Sequence, residues 1–157
     1  MIPKQLKLQN FLSYRQVVLD FDGLHVACVC GPNGAGKSSL LEAISWCVWG
    51  QSRVSTEDDI IRQGAKEAQV SFTFIHGGQG YRVIRTRRRN QSTALEFQVQ
   101  SAGLNQSNVA ASAALSTAAG AAVANWKVAD ACFKSITQKG VRATQKYILQ
   151  QLKIDYE

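Results

Sequence analysis

Gly31, Pro32, Asn33, Gly34, Ala35, Gly36, Lys37 and Ser38 form a complete G-x-x-x-x-G-K-[ST] loop, and its residue types suit the binding of a nucleoside triphosphate. Glycine at 31, 34 and 36 lets backbone N–H groups approach phosphate oxygens with no Cβ in the way. Asn33 and the loop amides form the cradle, the Lys37 ammonium neutralises charge on the β- and γ-phosphates, and the Ser38 hydroxyl is suited to Mg²⁺. Such a loop works only between a strand and a helix. Residues 24–30 are a short apolar run that predicts a strand buried on both faces, and residues 38–49 predict a helix whose dipole faces the anion.

A hydrolytic site needs a second part, a carboxylate following another apolar strand that holds the metal and orients water. None follows the loop. Val17-Val18-Leu19-Asp20 has the composition but precedes the loop strand, and Lys153-Ile154-Asp155 is too short and polar. Ile75-His76-Gly77-Gly78-Gln79 resembles the glycine-glycine-glutamine signature of ABC ATPases, which must open a helix. Its flanks alternate with period two, so it reads as a hairpin turn with His76 in it.

The elements around the loop follow from periodicity. Residues 4–10 and 16–21 alternate as two half-exposed strands ahead of the loop strand. The loop helix carries Leu40, Leu41, Ile44 and Val48 on one stripe and stops at Gly50. After a polar connection over residues 51–66, three apolar sets predict an antiparallel meander: Val70, Phe72 and Phe74; Tyr81 and Val83; Leu95, Phe97 and Val99. Alternation puts Arg85, Arg87 and Arg89 on one face of the middle strand, a row suited to contacting a DNA phosphate backbone. A charged edge strand would show the same row. Residues 101–125 hold ten alanines and four serines among 25 residues and no charge, and read as a flexible low-complexity insertion. Residues 141–153 predict an amphipathic helix. The expected organisation is a nucleotide-binding lobe with its meander over 1–100, the insertion over 101–125, and a return segment and helix over 126–157.

With 157 residues the chain can bury one sizeable core. Eighteen Lys and Arg against 11 Asp and Glu leave a net charge of +7, which favours a polyanionic partner. The cysteines at 28, 30, 47 and 132 include no C-x-x-C pair and read as reduced thiols of a cytoplasmic protein, with Cys28 and Cys30 on one face of the buried loop strand. His25 falls in that same strand as a core or edge residue. No run approaches 18 apolar residues, so no membrane span is expected.

The opening Lys7-Leu8-Gln9-Asn10-Phe11-Leu12-Ser13-Tyr14, the loop with Ser39-Leu40-Leu41-Glu42-Ala43-Ile44, the segment Asp58-Asp59-Ile60-Ile61-Arg62-Gln63-Gly64, and the terminal Leu152-Lys153-Ile154-Asp155-Tyr156-Glu157 together resemble the N-terminal lobe of an SMC-like ABC ATPase, above all of the SbcC exonuclease subunits. The resemblance implies an α/β P-loop NTPase lobe with ATP and Mg²⁺ as cofactors. Its nucleotide site would be Gly31 to Ser38 and Ser39, with Ser13 to Arg15 bordering the base. Lys37 would act on the phosphates and Ser38 on the metal. It also implies DNA, an SbcD-like nuclease subunit and a C-terminal ATPase lobe as partners, a head-to-head homodimer, and a nucleoid-associated location. The family's long coiled coil, signature and Walker B carboxylates are missing from these residues, so the chain resembles a lobe truncated before the Q-loop. It is expected to bind Mg-ATP without hydrolysing it. A RecF-like or chromosome-condensation ATPase fragment, or a non-catalytic basic DNA-binding module, would share part of this pattern.

Overall fold

A computed structural model describes residues 1–24, 26–101 and 133–153. Alternating apolar residues in the first half of the chain give strands β1 (Ile2–Phe11), β2 (Tyr14–Asp20), β3 (Glu67–His76), β4 (Gln79–Arg88) and β5 (Ala94–Gln100), joined by the short β6 (Phe133–Ser135). They form one antiparallel sheet in the order β2-β1-β3-β4-β5-β6. The period of two is visible in β3, where Ala68, Val70, Phe72 and Phe74 are buried and the residues between them are not. Register places Leu6 opposite Phe72 and Phe72 opposite Val83, and Val83 opposite Phe97, so one face carries a continuous apolar row.

Two helices pack on that face: α1 (Lys37–Trp49) over β3 and β4, and α2 (Val141–Leu152) over β5. Helix α1 ends where Gly50 takes the left-handed conformation (φ 75°) and donates its N–H to Trp46 O, as expected for a glycine stop. Helix α2 opens at Gly140. Its buried Thr144 donates to Gly140 O at 2.9 Å and accepts from Gln138 N at 3.2 Å, pinning the first turn. Ile148 and Leu152 enter the core, and the Tyr147 ring meets Phe97 edge-on. This is the expected α/β lobe with its meander. The glycine pair 77–78 is indeed the tip of the β3–β4 hairpin.

Three expectations change. Residues 24 and 26–30 are not a buried strand: Leu24, Val26 and Val29 are 53%, 88% and 50% exposed. A strand buried on both faces needs a neighbour on each side, and the described sheet gives this segment none. Cys28 and Cys30 are therefore exposed, whereas Cys47 is buried. On α1, Ala43, Trp46, Cys47 and Val48 are buried and Leu40 and Ile44 pack against the core, so of the expected stripe Leu41 alone turns away, at 68% exposed. The polar connection contains a short 3-10 turn, Glu57–Ile60, that buries Ile60 and Ile61 against Phe11. His25, most of the low-complexity insertion and residues 154–157 lie outside the described residues.

Candidate functional site: a phosphate-binding loop braced by a hairpin

The loop meets helix α1 at Gly36, which takes φ 90°, and Gly34 takes φ 83°. Both angles lie in the left-handed region that side chains with a Cβ avoid. No side chain caps the start of α1 and no acid sits in its first turn, so the positive end of the helix is left to an anionic ligand. Lys37 curls back over the loop, its Nζ donating to Gly31 O at 2.6 Å and Pro32 O at 2.7 Å. Pro32, Asn33, Ala35 and Ser38 are exposed, and Ser39 donates its N–H to Gly36 O.

A second element braces this loop. The β1–β2 hairpin turns at Leu12 and Ser13, with Leu12 N donating to Ile60 O and Arg62 N donating to Asn10 O, so its tip is tied to the 3-10 connection. From there Tyr14 donates its hydroxyl to Gly36 O at 3.2 Å. Ser13 Oγ lies 2.8 Å from where a Cβ on residue 36 would stand, and the Tyr14 ring lies 3.2 Å from it. Gly36 is thus fixed twice, by its dihedral angle and by the hairpin. Ser13 stands beside the loop at Gly36. Tyr14 is the residue that the loop motif could not reveal, because its contact spans 22 positions in sequence.

The arginine row is not the exposed surface expected of it. Arg85 and Arg87 do share a face of β4, but it is the face that α1, the 3-10 turn and α2 cover, and Arg89 lies beyond the strand's end at Arg88. Arg85 is only 4% exposed; its Nε donates to Cys47 O at 3.1 Å, its NH2 to Gln145 Oε1, and Gln145 Nε2 donates onward to Val48 O at 2.6 Å. The guanidinium therefore satisfies carbonyl groups at the C-terminal end of the loop helix, where a cation is favoured. Arg87 pairs with Glu57 at 2.7 Å and Asp58 at 2.8 Å. Arg89 alone of the three is exposed. Covering by helices, invisible to strand periodicity, converts two expected phosphate contacts into internal ties.

The Arg87 hydrogen bond, helped by the Asn90 N–H, holds the Asp58 carboxyl below its ordinary 3.8. Because the folded value lies below the unfolded one, this contact stabilises the fold above the ordinary carboxylate range and is lost as pH falls through the folded value. Asp58→Asn should accordingly flatten the loss of stability below about pH 4. Urea midpoints measured against pH would check this, and curves parallel to wild type would contradict it.

Residues 5–155 match a family model described as an AAA domain. The chain is 42% identical over 96 residues to the SbcC component of the SbcCD nuclease of Deinococcus radiodurans, an alignment covering 59% of this chain and 11% of that protein. It is 38% identical over 111 residues to the DNA double-strand break repair Rad50 ATPase of Thermoplasma acidophilum, covering 68% and 12%. The chain thus spans about a tenth of the length of these two relatives. A solved structure of the recombination mediator protein RecF-ATP superposes with a TM-score of 0.50 at 20% identity, covering 61% of this chain and 26% of that one, and it shares the P-loop NTPase fold.

Proposed function

This chain belongs to the AAA domain family, and on that premise we propose that it is the ATP-binding lobe of an SMC-like DNA-repair ATPase of the SbcC and Rad50 kind. The observation that carries the reading is the braced loop, where left-handed Gly34 and Gly36 meet an uncapped helix start and the Lys37 ammonium is already over the loop. ATP with Mg²⁺ fits this donor set. The loop amides and the α1 N-terminus would take the phosphates, Lys37 would exchange its two carbonyl contacts for phosphate oxygens, and Ser38 would reach the metal. Asn33, Ser39 and Ser13 would line the nucleotide's edges. The bound metal would supply charge neutralisation between the phosphates.

Among the described residues no carboxylate hydrogen-bonds to any residue of the 31–38 loop. The chain by itself should bind Mg-ATP and release no phosphate above background, since no described carboxylate stands at the loop to orient an attacking water. Phosphate release by the purified chain that disappears in Lys37→Ala would overturn this half-site reading.

The rest of the site would come from a complementary ATPase lobe. Leu24, Val26 and Val29 beside the loop, with Leu41 at the start of α1, expose an apolar surface of the kind that a further strand and helix would cover. A head-to-head dimer, an SbcD-like nuclease partner, DNA and a cytoplasmic, nucleoid-associated location complete the proposal. The +7 net charge supports the DNA partner. Exposed Arg89 remains available for a phosphate, whereas Arg85 and Arg87 serve the fold. No helix among the described residues is long and apolar enough to cross a membrane.

A further inference from the structure

Cys28 and Cys30 lie immediately before Gly31, both exposed, with their Sγ atoms 3.3 Å apart. That separation is a contact between two thiols, within reach of bond formation by rotation of the side chains. Cys47 is their opposite. It is buried, its thiol donates to Val83 O at 3.3 Å, and burial pushes its pKa up to about 12, so it supplies almost no thiolate at neutral pH. We propose that Cys28 and Cys30 form a dithiol modification site that closes to an intrachain disulfide by exchange with a low-molecular-weight disulfide of the glutathione type.

The exchange balances in two steps. One cysteine thiolate attacks a sulfur of the small disulfide, forming a mixed disulfide and expelling one small thiolate. The second cysteine thiolate attacks the protein sulfur of that mixed disulfide and expels the other. The protein loses two electrons and two protons, and the small disulfide is reduced to two thiols that carry them away. Proximity favours the second step, because the resolving thiol is already in contact with its target.

Closure also changes what residues 24–30 can do. In an extended strand, side chains two residues apart are spaced about 6.6 Å along one face, whereas a disulfide holds its Cβ atoms about 3.5–4.5 Å apart, so the ring draws the segment out of the extended form. On the proposed reading that a complementary lobe pairs with this segment, the oxidised chain would pair less well. Ring closure itself does not depend on that pairing.

The test uses the full chain with Cys132 replaced by serine, incubated with oxidised glutathione and read by intact mass; peptide mapping of the unsubstituted chain locates the bond independently. The expected product has lost two hydrogens and carries no glutathione, while Cys28→Ser and Cys30→Ser each stop at one glutathione adduct. A chain that stays reduced, or keeps glutathione on either thiol, overturns the proposal. Mg-ATP binding measured on the reduced chain reports on the ATPase reading separately, whichever way the thiols behave.

Discussion

Arg85→Ala is expected to destabilise the protein by about 3 kcal/mol, because it removes charge-assisted hydrogen bonds and leaves buried acceptors without donors. The acceptors are specific: Cys47 O loses the Nε donor, and Gln145 Oε1 loses the guanidinium that aims the Gln145 amide at Val48 O. The guanidinium also stands over the Trp46 ring at 5.7 Å and against Gly50, where the position of a Cβ would be 3.1 Å from its NH1. Burial lowers the Arg85 pKa, yet an arginine remains charged at neutral pH, so the interaction lost is that of a cation with helix-terminal carbonyls. In a domain of this size the melting temperature should fall by about 6–12 °C. Arg85→Lys should recover little of it, since one ammonium cannot copy a planar fork that spans two acceptors. Arg88→Ala is the control. That side chain is 62% exposed and pairs with a half-exposed Glu67, so its loss should fall within about 0.5 kcal/mol. Thermal unfolding of the three variants decides the matter; Arg85→Ala melting with wild type would return Arg85 to the surface row expected from the sequence.

The arginines show where sequence reading stops. Alternation correctly places Arg85 and Arg87 on one side of β4, since a period of two is a property of the strand alone, whereas Arg89 falls just past the strand's end at Arg88. Which side the helices cover is a property of the whole fold, and Val83 at the same face, fully buried, was the available sign. Helix α2 and the meander were legible because their periodic apolar residues, such as Ile148 and Leu152 or Phe72 and Phe74, are also the buried ones. The loop was legible for a different reason: its glycines and Lys37 are demanded by local geometry. The brace on it was not, because Tyr14 and Gly36 meet only through tertiary packing. Residues 24–30 have the composition of a buried strand, and yet 24 and 26–30 lie exposed, as composition reports what a segment could bury and not what is present to bury it.

The central claim is that the 31–38 loop holds the triphosphate of Mg-ATP through Lys37. Calorimetric titration of Mg-ATP into wild type and Lys37→Ala tests it most directly. A lysine donating to phosphate is a charge-assisted contact of about 1.5–3 kcal/mol, so the variant should bind about 10- to 150-fold more weakly. Its melting temperature without nucleotide should stay near wild type, because the contacts it loses are to exposed loop carbonyls. Saturable binding by wild type with this loss in a folded variant is the predicted result. Equal affinity in the two proteins, or no binding by wild type, would contradict the account.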